Sequence, residues 1–216
     1  MPQKLEEIAE KIHQSFEICT AERDRALTQA RTLTRHCANA IRAIHRNEHD
    51  LAQQHLADAR QLAQSLRNNL KDFPELFYAG YTQDALKEFA EASLVYALIN
   101  DGEFPTPDDL SLEPATYLQG LAEAVGELRR RCLDMLLNDN PKEAERLMSE
   151  MDDIYAILVT MDYPDAITGG LRRLTDVARG IIERTRGDLT LSLRQERLEN
   201  NLKELEIRLD AYNQSE

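Results

Sequence analysis

The chain contains no tryptophan, and only 6% of its 216 residues are aromatic. Base stacking on exposed aromatic side chains therefore has few candidates. Its three cysteines, Cys19, Cys37 and Cys132, have no paired spacing, which argues against a zinc-finger or disulfide framework and fits a reducing compartment. No apolar run reaches the about 18 residues of a membrane span; the strongest, around Ala92 to Ile99, falls well short. No basic-then-apolar leader opens the chain. A soluble, cytoplasmic protein without a membrane partner is expected. A glycine-rich cradle for a nucleotide phosphate is also missing. Between Pro2 and Pro74 there is no proline, and the first glycine is Gly80.

That unbroken stretch carries Leu5, Ile8, Ile12, Phe16, Cys19, Ala26, Ala30, Leu33, Cys37, Ile41 and Ile44 at threes, fours and a seven. The spacing predicts one amphipathic helix of more than about 40 residues. Arg23 falls in a gap of the stripe and is expected to have a buried partner. A second helix carries Leu51, Ala59, Leu62, Leu66 and Leu70. Pro74, the Pro105/Pro107/Pro114 cluster, Pro141 and Pro164 mark the later breaks. A helix is expected from about Thr82 to Asn100, stopped by Asp101 and Gly102. Pro114 suits the first position of the next, and Pro141, preceded by Asn-Asp-Asn, opens another. Pro164 and Gly169-Gly170 lead into a helix through Ile181 and Ile182. A last one has Leu191, Leu198, Leu205 and Tyr212 at sevens, with Leu202 and Leu209 between them. That narrow seam suits a partner helix or a neighbouring subunit. About seven helices and no strand give an all-α bundle, read as a single domain over residues 1–216.

The formal net charge of −13 argues against a nucleic-acid partner at first sight, but the charge is unevenly spread. Residues 21–46 hold Arg23, Arg25, Arg31, Arg35, Arg42 and Arg46 against Glu22 and Asp24. Residues 172–186 hold five arginines against Asp176 and Glu183. Phosphate binding depends on local potential, so these tracts are compatible with it, although arginines on solvated helix faces read the same way.

Four acidic residues stand in apolar settings: Leu86-Lys87-Glu88-Phe89-Ala90-Glu91-Ala92 and Leu121-Ala122-Glu123-Ala124-Val125-Gly126-Glu127-Leu128. Spacings of three and four place each pair on one helix face. Burying charge in such a setting is costly unless it is paired. Should the two pairs face each other, repulsion raises their pKa values until a cation neutralises them. Four converging carboxylates and a hard divalent cation satisfy all these conditions. The alternative is a set of glutamates on a solvated face, paired with lysine or arginine. Glu10-x-x-His13 has half of a di-iron ligand motif, but no second copy exists.

The segment Glu22-Arg23-Asp24-Arg25-Ala26-Leu27, continuing through Ala30-Arg31, Arg35, Ala40-Ile41 and Ile44-His45-Arg46, resembles the first-helix pattern of the translin/TRAX family. Leu86-Lys87-Glu88-Phe89-Ala90-Glu91-Ala92 is similar to the Gln-Glu-x-x-Glu-Ala element of the TRAX branch. Tyr117-Leu118-Gln119-Gly120-Leu121-Ala122-Glu123-Ala124-Val125-Gly126-Glu127-Leu128 resembles the family's Tyr-Leu-x-Gly-x-x-Asp/Glu-x-x-x-Glu-Leu element. The resemblance implies a hollow octameric shell whose TRAX-type subunits carry Mg²⁺-dependent endoribonuclease sites. Translin-type subunits instead bind single-stranded RNA or DNA without the full acidic set. Glu88, Glu91, Glu123 and Glu127 match the acidic positions of the catalytic branch. One departure stands out: the third position is commonly Asp, and the extra methylene of Glu123 moves its carboxylate by about a bond length. The nuclear-targeting segment of eukaryotic members has no counterpart, which points to a prokaryotic homo-oligomer.

These readings lead to an expected function: Mg²⁺-dependent hydrolysis of single-stranded RNA, with Mn²⁺ as a possible substitute, through Glu88, Glu91, Glu123 and Glu127. One ion, or two when RNA is bound, would polarise the phosphate and lower the pKa of a water. Glu123 is the first candidate to accept that water's proton. The resemblance implies products with a 5′-phosphate and a 3′-hydroxyl. Candidate RNA contacts are Arg31, Arg35, His45, Arg46, Arg130, Arg172 and Arg173, with a helix-end role for His45 and Arg46 equally open. The alternative function is a non-catalytic, translin-like oligomer that binds single-stranded RNA or DNA; a purely structural helical oligomer leaves the embedded acids unexplained.

Overall fold

Three of the long helices in this protein end on a left-handed asparagine or aspartate instead of glycine. The computed structural model describes the backbone of residues 2–213 and the side chains of residues 3–209. Among the described residues there are nine helices and no strand. They are α1 (Pro2–His45), α2 (His49–Asn69), α3 (Pro74–Phe77), α4 (Gly80–Ile99), α5 (Pro107–Leu110), α6 (Pro114–Leu137), α7 (Pro141–Leu158), α8 (Asp165–Thr168) and α9 (Leu171–Asn213). The all-α expectation holds. The difference from about seven comes from three single turns, α3, α5 and α8, and from the merging of the last two expected helices into α9. Gly180 and Gly187 lie inside α9 and cost it helix propensity without breaking it.

After α1, Asn47 adopts φ 58°, and Glu48 N donates to Ala43 O at 2.9 Å. After α4, Asp101 takes φ 51°, and Gly102 N donates to Ala97 O at 2.9 Å. After α6, Asp139 takes φ 53°, and Asn140 N donates to Met135 O at 2.9 Å. All three are Schellman-type stops in which the left-handed residue has a short polar side chain. Of the two residues expected to stop α4, Asp101 and Gly102, it is Asp101 that bears the positive φ. Asn140 then caps α7 by accepting from Glu143 N, and Thr106 with Asp109 forms a capping box at α5.

The described residues gather into two compact units. The first comprises Met1–Ala124 and Tyr163–Leu171, the second Val125–Asp162 and Arg172–Glu216. In the first, α1 packs on α2 and α4, and α2 on α4. Its core includes Leu33, Cys37 and Ile44 of α1, Ala52, Ala59, Ala63 and Leu66 of α2, and Phe89, Leu94 and Val95 of α4. The small side chains of α2 face this core, while Leu51 is exposed. In the second unit the buried residues include Leu128 and Cys132 of α6, Leu147, Met151 and Leu158 of α7, and Ala178, Ile182 and Leu189 of α9. Arg129 fastens α6 to α9 there, donating to Thr185 Oγ1 and Asp188 Oδ2, each at 2.9 Å.

Both long helices outrun the helices of their own unit. At 1.5 Å per residue α1 is about 66 Å long and α2 about 32 Å. The α1 stripe is therefore buried only from Ala26 onward, and Leu5 and Phe16 remain 63% and 66% exposed. Leu191, Leu198, Leu202, Leu205 and Leu209 of α9 are likewise exposed; the side chain of Tyr212, the last member of that seam, lies outside the described residues. Arg23 departs from expectation: 53% exposed, it pairs with its neighbour Asp24 at 3.1 Å. The gap in the stripe is a solvated position. No described helix is long and apolar enough to cross a membrane.

Candidate metal centre

Glu88 and Glu91 occupy one face of α4, and Glu123 lies on the first half of α6, within the same unit. The helices meet at Gly120. A Cβ placed there would lie 2.5 Å from Ala90 Cβ and 2.9 Å from both Glu91 N and Lys87 O. Only a residue without a side chain lets the two backbones come this close. One turn later α6 delivers Glu123 to the Glu88–Glu91 face. Side chains fix the alignment: Thr116 Oγ1 on α6 donates to Gln83 Oε1 on α4 at 2.7 Å, and Gln83 Nε2 donates to Phe77 O at 2.8 Å. Gln119 Nε2 donates to Thr168 O and Gly169 O at 2.9 and 2.7 Å.

One carboxylate oxygen from each of Glu88, Glu91 and Glu123 falls within a mutual distance of 4.8 Å, and all three residues are part-buried. Lys87, which the sequence reading passed over, sits among them. Its Nζ donates to Glu123 Oε1 at 2.8 Å, with side-chain exposures of 17% and 28%. Burial pushes the Glu88 carboxyl up; Lys87 draws it down, and the charges of Glu123 and Asp84 add to the upward shift. For Lys87, burial lowers the pKa, but the bond to Glu123 and the carboxylate field outweigh it and raise the value. Beneath the cluster, Cys37 of α1 is buried, and burial followed by the charges of Glu88 and Glu91 raises its thiol pKa. Cys37 is held as a neutral thiol and is no nucleophile.

Such a site is short of positive charge. Three hard oxygen donors in a part-dry setting fit a divalent ion that keeps several of its waters, and the lysine supplies only part of the compensation. The cluster is of a kind that can hold a metal ion.

The raised pKa of Glu88 carries a sign that can be measured. A carboxyl whose pKa is higher in the folded state stabilises the fold fully below its unfolded value and loses that contribution as pH rises through the folded value. In chelator, Glu88→Gln is therefore expected to raise the melting temperature at pH 7 and to bring little gain at pH 4. Thermal melts at the two pH values check this; an equal shift at both would show that the charge of Glu88 is not responsible.

Glu127 follows Glu123 by one helical turn but belongs to the second unit, where its carboxylate lies 3.7 Å from Arg130. The candidate RNA contacts fall in both units. Arg31, Arg35 and Arg46 are exposed on or just beyond α1, and His45 is part-buried at its end. Arg46 borders a groove shared with Asn39, Arg42, Glu48, Leu51 and His55. Arg130, Arg172 and Arg173 are exposed in the second unit.

No protein-family model matches the chain. It is 35% identical over 189 residues to the uncharacterized protein MJ0175 of Methanocaldococcus jannaschii, spanning 87% of this chain and 83% of that protein. Among solved structures it resembles AfC3PO in a complex with duplex RNA, at TM-score 0.80 and 35% identity, covering 86% of this chain and 96% of that one. The crystal structure of AfC3PO gives the same TM-score at 34% identity, covering 86% and 97%. Apo-NeC3PO, at TM-score 0.78 and 18% identity over 85% and 96% of the two chains, shares the fold.

Proposed function

This chain belongs to the translin family, and from that premise we propose that it is an RNA-binding oligomer that cleaves single-stranded RNA with the help of a divalent ion, Mg²⁺ or Mn²⁺. The observation that carries the reading is the set of three carboxylates of Glu88, Glu91 and Glu123 within 4.8 Å, on two helices brought together by Gly120. Glu88, Glu91 and Glu123 would hold the ion, and Glu127 is a further proposed acidic residue on α6. When bound, such an ion supplies charge at a scissile phosphate and lowers the pKa of a water. Glu123 is the proposed acceptor of that water's proton. Lys87 steadies Glu123 through the 2.8 Å bond. Arg31, Arg35, His45, Arg46, Arg130, Arg172 and Arg173 are proposed phosphate contacts, acting through charge and without reading sequence.

Two observations support assembly and an RNA partner. The exposed stripe of α1 and the exposed leucines of α9 are apolar surface of the kind that copies of a chain cover, and an octamer is the proposed closed form. The relative AfC3PO has been solved in a complex with duplex RNA, so single-stranded and duplex RNA belong in the same assay.

End-labelled RNA of both forms, incubated with Mg²⁺ or Mn²⁺ and with EDTA, tests the reading. Cutting of the single strand that requires the metal and leaves 5′-phosphates is the expected result; uptake of RNA without cutting at any metal concentration would refute the nuclease. It would leave the second reading, a non-catalytic binder, whose support is the Lys87–Glu123 ion pair. That pair neutralises one carboxylate without any metal.

A further inference from the structure

A second constellation of ligating atoms, sharing no residue with the acidic cluster, spans α1 and α2. His36 of α1 faces His55 and Asp58 of α2. His36 Nδ1 lies 3.4 Å from His55 Nδ1 and 3.5 Å from Asp58 Oδ2, and one ligand atom from each of the three residues falls within a mutual distance of 4.8 Å. The rings meet edge to face, with centroids 5.4 Å apart and planes at 66°. From these distances and this donor set we infer that His36, His55 and Asp58 form a binding site for a borderline transition-metal ion, with Zn²⁺ the best match, whose fourth position is open to solvent.

The first argument is geometric. Around a tetrahedral ion with ligand bonds of roughly 2.0–2.1 Å, neighbouring ligand atoms stand about 3.3–3.4 Å apart. Two edges of the triangle already have nearly this length. The third closes by rotation of Asp58, whose side chain is 43% exposed and therefore free to turn. His55 and Asp58 are three apart in α2, on one face, and that face is held against α1 by the packing of Ala52 and Ala59.

The second argument is chemical. With their ring protons on Nε2, the two imidazoles present Nδ1 lone pairs to a common point with a carboxylate oxygen. A proton on one Nδ1 bridges one edge of the triangle and leaves the other acceptors facing each other, whereas a cation at the centre satisfies all three. Ligation through Nδ1 puts the remaining proton of each neutral ring on Nε2. Two imidazoles with one carboxylate suit zinc and its neighbours better than Mg²⁺, which prefers oxygen alone. Every ligand is part-buried, so the ion has a path in and retains a water. Bridging α1 to α2, it also ties down the C-terminal half of the long first helix.

The test uses the full-length chain carrying Glu88→Gln, Glu91→Gln and Glu123→Gln, so that the acidic cluster has no carboxylate left, titrated with Co²⁺ and then Zn²⁺. One equivalent of Co²⁺ is expected to give the intense visible absorption of a four-coordinate ion, which Zn²⁺ then displaces. His36→Gln, His55→Gln and Asp58→Asn are each expected to weaken binding at least about tenfold, and Zn²⁺ is expected to raise the melting temperature of the parent but not of the variants. Should a histidine variant unfold, the ring nitrogen resonances of the parent give an independent reading. Shifts of two Nδ1 signals on adding Zn²⁺ support the site. A titration without that absorption, an affinity indifferent to all three substitutions, or unmoved Nδ1 signals overturns it.

Discussion

Gly120→Ala is expected to destabilise the protein by about 3 kcal/mol, at the upper end of the range for overpacking a close-fitted interior, and to weaken divalent-ion binding with it. The added methyl group has nowhere to go: within 2.9 Å it meets Ala90 Cβ and two backbone atoms of α4, Glu91 N and Lys87 O. Backbone cannot turn aside as the end of a flexible side chain can, so α4 and α6 must separate. Separation moves Glu123 away from Glu88 and Glu91, the only change the acidic cluster needs to lose its geometry. Gly126→Ala, less than two turns further along α6, is the control. Nothing lies within 4 Å of a Cβ there, and the substitution is expected to add about 0.5–1 kcal/mol of helix propensity. Urea denaturation of both variants, with Mn²⁺ titrations alongside, checks the pair. Similar midpoints would mean that the tight crossing at Gly120 does not hold the two helices.

Glu123→Gln is expected to reduce cleavage on the order of 100-fold or more, the scale associated with a positioned proton acceptor, while RNA uptake stays within about twofold. The amide keeps the shape of the side chain and still accepts a hydrogen bond from Lys87. It cannot take a proton, and it removes one unit of charge from the cluster. The loss of charge acts twice: it weakens the hold on a divalent ion and leaves Lys87 with less opposing charge. Raising the Mg²⁺ concentration is therefore expected to recover only part of the rate. Single-turnover rates across a metal titration, with filter binding of the same RNA in chelator, separate these effects. Full recovery at high Mg²⁺ would reduce Glu123 to a metal ligand without a part in proton transfer.

Much of the frame was readable because helix boundaries here are local. Pro114 and Pro141 open α6 and α7 at the first position, and the long proline-free start holds the 44-residue α1 and the 21-residue α2. The stop of α4 at Asp101 was readable, but the ends at Asn47 and Asp139 were harder, since there too the left-handed conformation falls to a residue other than glycine. The two expected final helices are one, because Gly180 and Gly187 weaken a helix without stopping it. Long-range approach left little trace in the sequence. The pairing of Glu88 with Glu91 follows from helical spacing, but their meeting with Glu123 depends on Gly120, and nothing local marks that glycine as a crossing point. Lys87 reads as an ordinary neighbour of Glu88 until α6 brings Glu123 to it. His36 and His55 are 19 residues apart on separate helices, a spacing without any motif. Arg23 was misplaced for a related reason: a gap in an apolar stripe says which way a residue points, but not that a second helix reaches far enough to cover it.

The measurement that bears most directly on the centre of this account is the anomalous scattering of Mn²⁺ in crystals of the protein, at metal concentrations that support cleavage. A peak bounded by Glu88, Glu91 and Glu123, with carboxylate oxygens at about 2.0–2.2 Å, and lost in Glu91→Gln crystals, is the predicted result. Crystals of active protein with no metal at those carboxylates, Lys87 still bonded to Glu123, would contradict it.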